Sequence, residues 1–112
     1  GDSEKIKLGA GNDLEIFHDG SNSYVKEVGT GGLILAGSNT VTIVNQGLDE
    51  TMVSCTVDGA VELYHNNSKK IETTSTGATI TGNLIISNVP TSDPNIAGAL
   101  YTSSGTLKVS TG

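Results

Sequence analysis

Residues 14–21 read LEIFHDGS, and residues 61–68 read VELYHNNS. Both octapeptides begin with a Glu between two aliphatic residues, so the aliphatic pair shares one face of a strand, and each ends in residues that favour a tight turn. This pattern predicts a β-strand that runs into a hairpin turn. The identical positions are Glu15 and Glu62, His18 and His65, and Ser21 and Ser68. The chain therefore contains a duplicated strand-turn unit.

A second match extends the duplication, because residues 30–35 align with residues 76–81. The two units cover about residues 5–37 and 52–83, inside a duplicated β repeat region at 1–88. Residues 89–112 hold both prolines of the chain and are interpreted as a linker followed by a C-terminal β-hairpin cap.

The sequence predicts an all-β fold of short strands in a repeated hairpin or meander unit. No helix is predicted beyond one short turn near residues 94–99. The predicted strands are 14–18, 23–27, 33–35, 40–44, 52–57, 60–65, 70–74, 78–81, 84–86, 99–102 and 106–109.

The composition predicts a thin core. Gly, Ser, Thr and Asn make up 50 of the 112 residues, there is no Trp, and Phe17 is the one phenylalanine. The Leu, Ile and Val residues are spread evenly instead of being concentrated in one segment. Thin layered β-structures, such as fibres and solenoids, usually cover their faces with copies of themselves, so we expect an obligate oligomer. An ordinary monomeric β-sandwich is the alternative.

Charge and cysteine content exclude several classes of protein. The chain has six Lys, no Arg and twelve carboxylates, which give a net charge of -6. Nucleic-acid binding depends on Lys and Arg that neutralise phosphates, so no nucleic-acid partner is expected. No apolar run is long enough to span a membrane, and no membrane partner is expected. Cys55 is the one cysteine, so no intrachain disulfide or cysteine-based zinc site can form.

No catalytic motif is present, and we expect neither enzymatic activity nor a cofactor. Glu15 and Glu62 are repeat-equivalent acids, and the sequence predicts that both face solvent. A fragment of a carbohydrate-active enzyme would need them to meet across a cleft. Cys55 is predicted to be a small core residue.

His18 and His65 are the candidate metal ligands. One such residue per chain on a three-fold axis would form a ring of imidazoles that can hold a transition metal. The simpler interpretation is that each histidine ends a strand and bonds to a nearby loop, so no metal site is assigned.

Five residues are candidates for ligand binding, with a glycan as the ligand. Aromatic rings stack on sugars, and Asn or Asp side chains bond to sugar hydroxyls. The candidates are Phe17, Tyr24, Tyr64, Asp19 and Asn66.

Three stretches carry a resemblance to a known group of proteins. They read KIKLGAGNDLEIFHDGSNSYV at 5–25, DGAVELYHNNSKKIETTSTGATITGNLIIS at 58–87 and VPTSDPNIAGALYTSSGTLKVS at 89–110. This sequence resembles tail-fibre and related structural proteins of marine bacteriophages. The resemblance covers nearly the whole chain.

The resemblance implies a non-enzymatic structural module of a phage tail fibre or appendage that contributes to host attachment. It implies a homotrimer with intertwined strands, located extracellularly on the virion. Such fibres can carry a His-x-His metal motif, but here Phe17 and Asp19 flank His18. A carbohydrate-binding or adhesin domain of a bacterial surface protein is the alternative function.

Overall fold

Ten β-strands and no helix make up the chain in the computed structural model, which describes residues 1–112. The strands are β1 (Lys5–Leu8), β2 (Leu14–His18), β3 (Ser23–Glu27), β4 (Thr40–Val44), β5 (Thr51–Thr56), β6 (Val61–His65), β7 (Ser68–Thr74), β8 (Gly77–Ile80), β9 (Leu100–Ser103) and β10 (Thr106–Val109). The prediction of an all-β chain is confirmed.

The strands form three antiparallel sheets. One contains β1-β2-β3, the second β4-β5-β6-β7-β8, and the third is the β9-β10 hairpin. Each strand pairs with the strand next to it in sequence, so each sheet is built from successive hairpins.

Two predicted strands are wrong, and one strand was missed. Residues 33–35 and 84–86 lie outside every sheet, although both are short apolar runs. A strand needs a partner for its backbone groups, and neither run has a partner within this chain. The missed strand is β1, in which Lys and an apolar residue alternate opposite β2.

Tight turns connect the strands where the sequence supplies residues that tolerate a positive φ. Asn66 and Asn67 have φ angles of 47° and 59° and join β6 to β7. Positive φ at both central residues is the signature of a type I′ hairpin turn, whose twist matches that of the strands. Ser104 and Gly105 form the equivalent turn between β9 and β10.

The five-stranded sheet separates apolar and polar side chains onto two faces. One row across all five strands is entirely apolar, and the next row, which points to the opposite side, is polar. The apolar row is Ile43, Val53, Leu63, Ile71 and Ile80; the polar row is Thr42, Ser54, Glu62, Glu72 and Thr79. Val41, Cys55 and Val61 form a second row on the apolar side. We call the side that carries these eight residues the apolar face.

The chain does not bury a hydrophobic core. No apolar residue is buried, and the two buried residues are Glu15 and Ser110. Of the 29 Leu, Ile, Val, Phe and Met residues, 22 are exposed. Contacts between strands occur only within a sheet, so no sheet covers the face of another. The apolar face of the five-stranded sheet therefore has no partner within the chain.

The molecule is elongated, with extents of 61 × 33 × 30 Å and a radius of gyration of 20.9 Å. A compact domain of this length would have a radius of gyration of about 13 Å. This open shape follows from three separate sheets that do not pack together.

The C-terminal segment folds back onto its own hairpin. The buried Ser110 hydroxyl donates to Asp93 Oδ1 at 2.6 Å, and the Thr102 N–H donates to the carbonyl of Pro90 at 2.8 Å. These bonds fasten the proline-containing residues to β9 and to the end of β10. The bond from Ser110 lowers the pKa of the Asp93 carboxyl.

Candidate functional site

An aromatic pair lies on one face of the three-stranded sheet. Phe17 of β2 and Tyr24 of β3 are cross-strand partners, and their rings stack with centroids 4.7 Å apart. The Lys5 Nζ of β1 lies 4.2 Å from the centroid of the Phe17 ring. Phe17 therefore sits between a cation and a second ring, an arrangement that is favourable on both sides.

The Asp19 carboxylate accepts hydrogen bonds from Tyr24 of the aromatic pair and from the backbone of its own loop. Its Oδ2 accepts a bond from the Tyr24 hydroxyl at 2.7 Å, and its Oδ1 accepts the N–H groups of Ser21 and Asn22. The Tyr24 bond is the main cause that lowers the pKa of the Asp19 carboxyl. The same bond raises the pKa of the Tyr24 hydroxyl. Asp19 thus closes the hairpin and orients the Tyr24 ring.

Glu15 is buried, which corrects the prediction that it faces solvent. β1 places Lys5 Nζ 2.8 Å and Lys7 Nζ 3.4 Å from the Glu15 carboxylate. The hydrogen bond from Lys5 is the largest cause that lowers the pKa of the Glu15 carboxyl. The predicted strands did not include β1, so the ion pairs around Glu15 were not predicted from the sequence.

The repeat-equivalent Glu62 forms a similar cluster with different partners. Its carboxylate accepts bonds from the Tyr64 hydroxyl at 2.7 Å and from Lys69 Nζ at 3.2 Å. Lys69 also pairs with Glu72. The Tyr64 bond is the first cause that lowers the pKa of Glu62 and raises that of Tyr64. We call these four residues the Glu62 cluster; it joins β6 to β7 on the polar side of the sheet.

The candidate glycan residues divide between two sheets. Phe17, Tyr24 and Asp19 lie together on the three-stranded sheet and its hairpin loop. Tyr64 lies in the Glu62 cluster, and Asn66 lies in the turn after β6. The structure therefore brings together the first three candidates but does not place the other two beside them.

The two histidines also belong to different sheets. His18 ends β2, where its Nδ1 lies 3.2 Å from the Ser23 hydroxyl, and His65 ends β6 opposite Ser68. No group of three or more His, Cys, Asp or Glu side chains is arranged to hold a metal ion. Within one chain, His18 and His65 do not share a site.

A cavity of about 650 Å³ lies against the three-stranded sheet. The apolar cross-strand row of Ile6, Ile16 and Val25 lines it, together with Phe17, Tyr24 and N-terminal residues. Its size is within the range of small-molecule sites, and its lining is half hydrophobic. Ile6 contributes through β1, which was not among the predicted strands, so this cavity was not predicted from the sequence.

In comparisons with protein-family models, curated proteins and solved structures, this chain matches none of them. No helix in the structure has the length and apolar character needed to span a membrane. The candidate surfaces are thus defined by geometry alone. They are an uncovered apolar face on the five-stranded sheet and an aromatic site with a cavity on the three-stranded sheet.

Proposed function

We propose that this chain is a non-enzymatic structural module of a phage tail fibre or appendage, and that it assembles as a homotrimer and contributes to host attachment. One observation carries the self-assembly: a five-stranded sheet displays an apolar face that nothing in the chain covers. Large apolar faces on soluble proteins mark interaction surfaces, because exposed apolar area is unfavourable in water.

The exposed area supports a large interface. The chain exposes 8607 Å². A folded monomer of 11.4 kDa would expose about 5,800 Å², so the excess is about 2,800 Å² per chain. An obligate oligomer covers surface on this scale, whereas a weak, transient encounter covers far less.

The identity of the partner follows from the repeat and from the resemblance. The sequence repeats the same strand-turn unit, and repeated β units commonly stack on further copies. The resemblance of residues 5–25, 58–87 and 89–110 to marine phage fibre proteins supports a homotrimer and a location on the virion. The negative charge and the elongated shape suit an extended extracellular fibre.

Solution mass tests the self-assembly. Light scattering after size exclusion should give about three times 11.4 kDa. Leu63→Lys puts a charge in the middle of the apolar face and should reduce the mass to that of a single chain. Ser54→Lys is the matched control, because it adds the same charge on the opposite side of the same sheet, on the inner strand β5, and it should leave the mass unchanged.

The unmodified protein gives an independent readout. Cys55 lies on the apolar face between Val41 and Val61, and its thiol should react slowly with a maleimide while the copies are assembled. A folded, monodisperse monomer whose Cys55 reacts at the rate of a free thiol would overturn the self-assembly.

Glycan binding is a second candidate function, favoured by the aromatic site. Tyr24 covers one side of Phe17, and Lys5 lies over the same ring, so the outer surface of Tyr24 is the natural stacking surface. Phe17 and Tyr24 also border the cavity that Ile6, Ile16 and Val25 line.

A glycan array probed with the assembled protein tests this candidate. Tyr24→Ala should abolish any binding signal, whereas Tyr101→Ala, on the distant hairpin, should preserve it. Equal binding by both variants would exclude the Tyr24 surface as the site.

A further inference from the structure

Two segments outside the sheets share a sequence pattern. Residues 30–35 read TGGLIL, and residues 81–86 read TGNLII. Both follow the form Thr-Gly-x-Leu-Ile-Leu/Ile. We call residues 30–35 and 81–86 the linker strands, since each follows a sheet and ends in three consecutive Leu or Ile residues.

The backbone of both linker strands is almost entirely unpaired. Residues 30–38 and 82–89 make no hydrogen bond, backbone or side chain, with any other part of the chain; the one bond in the second linker strand is the N–H of Thr81 to Lys70. The side chains are equally uncovered, since Ile34 is 84% exposed and Ile85 is 82% exposed. An apolar segment of this kind needs a cover for its side chains and partners for its N–H and C=O groups. A sheet edge supplies both.

The chain also offers matching edges. In the five-stranded sheet β4 and β8 are the outer strands, and each has one side without a partner. An extended segment can add to such an edge as a further strand, with backbone hydrogen bonds giving the affinity.

The two longest stretches of the sequence without a charged side chain contain these parts of the molecule. All 18 charged side chains lie outside residues 28–48 and 73–92. Those two uncharged stretches contain both linker strands and both open edge strands, β4 and β8. Interface cores are depleted of charged residues, and copies that each carry a charge of -6 approach most easily where no charge is present.

We propose that each linker strand becomes a β-strand by pairing with the open edge of β4 or β8 in a neighbouring copy of this chain. The inference rests on the proposed self-assembly and names the backbone that joins the copies. A second copy is the partner because it carries the same two uncharged edges. The edges and linker strands of one chain thus complete those of the next, and the pairing covers both open edges of the five-stranded sheet.

Hydrogen exchange on the unmodified assembly is the first test. The amides of residues 33–35 and 84–86 are free in the isolated chain, so in the assembly alternate amides should exchange at least tenfold more slowly than in a dissociated sample. The edge amides of β4 and β8 should gain protection in the same experiment.

Substitution tests the backbone separately from the side chains. Ile34→Pro with Ile85→Pro removes one N–H from each linker strand, and Leu35→Pro with Ile86→Pro removes the next. Since alternate N–H groups face one edge, at least one proline pair should raise the dissociation concentration tenfold or more. Ile34→Thr with Ile85→Thr is the control, because threonine keeps the donor and the β-propensity.

The outcomes distinguish this inference from the proposed function. All substituted positions lie outside the ten strands, so far-UV circular dichroism should show the sheets retained in every variant. If the unmodified chain is a monomer, both proposals are overturned. If it assembles but residues 33–35 and 84–86 exchange as fast as in the dissociated sample, or both proline pairs assemble as tightly as the threonine pair, self-assembly stands and the linker-strand pairing is overturned.

Discussion

The Glu62 carboxylate links two strands through a tyrosine hydroxyl and an ammonium group, and its ionisation should therefore affect stability. Its folded pKa lies below the ordinary value of 4.5, first through Tyr64 and then through Lys69. The native state therefore gains stability from Glu62 above pH 4.5, and that gain is lost as the pH falls through the folded pKa. The pKa values of Tyr64 and Lys69 are raised, so these two groups affect stability at the alkaline end of the pH range. Their contribution is complete below pH 10 and is lost as the pH rises through the folded values.

Glu62→Gln should flatten both limbs of a plot of Tm against pH, measured from pH 2 to 12. The acid limb will not vanish, because Glu15, Asp19 and Asp93 also have lowered pKa values. Glu50→Gln is the matched control, since it removes the same charge from an exposed side chain that forms no ion pair. Equal pH profiles for the two variants would show that the Glu62 cluster does not stabilise the fold.

At the scale of a secondary-structure element, the β6-β7 hairpin depends on a turn in which two asparagines have positive φ. Asn66 is the cleaner position to change, because the Asn67 side chain also accepts the Thr51 N–H at 3.0 Å. Asn66→Ala should lower the free energy of unfolding by about 1 kcal/mol, since alanine adopts the left-handed region at a steric cost. Asn66→Gly should keep or raise stability, because glycine has no such cost. Urea denaturation of both variants at one protein concentration measures the difference, and equal destabilisation by Ala and Gly would contradict it.

The elements that sequence could predict are those whose pairing is local. The hairpins at 14–27, 61–74 and 100–109 each combine an alternating pattern with a turn signal, and all three form. The runs at 33–35 and 84–86 consist of Leu and Ile but have no partner within the chain, so a short apolar run alone gave the wrong assignment.

The candidate site shows the same limit. Phe17, Tyr24 and Asp19 were predictable because they share one hairpin. The ion pairs that bury Glu15 and the cavity beside Ile6 depend on β1, a four-residue strand whose short alternation of Lys with Ile and Leu was not recognised as a strand. Tyr64 and Asn66 are the repeat equivalents of Phe17 and Asp19. They lie on the five-stranded sheet and its β6-β7 turn, and so do not join the site on the three-stranded sheet.

For the molecule as a whole, charge opposes assembly and apolar area favours it. Each copy carries a charge of -6, so three copies bring together a charge of about three times that value. The uncharged stretches 28–48 and 73–92 contain the proposed contacts. At 0.1 M ionic strength the screening length is about 10 Å, which weakens repulsion between charges on different copies more than it affects apolar contacts.

Raising the salt from about 50 to 500 mM should therefore lower the concentration at which the assembly dissociates. Lowering the pH towards the isoelectric point near 4.6 should act in the same direction until the carboxylate clusters begin to protonate. Analytical ultracentrifugation across a salt series measures the effect. An assembly that weakens with salt would instead be held by ion pairs between copies, and this would place the contact at the charged stretches 2–27 and 49–72.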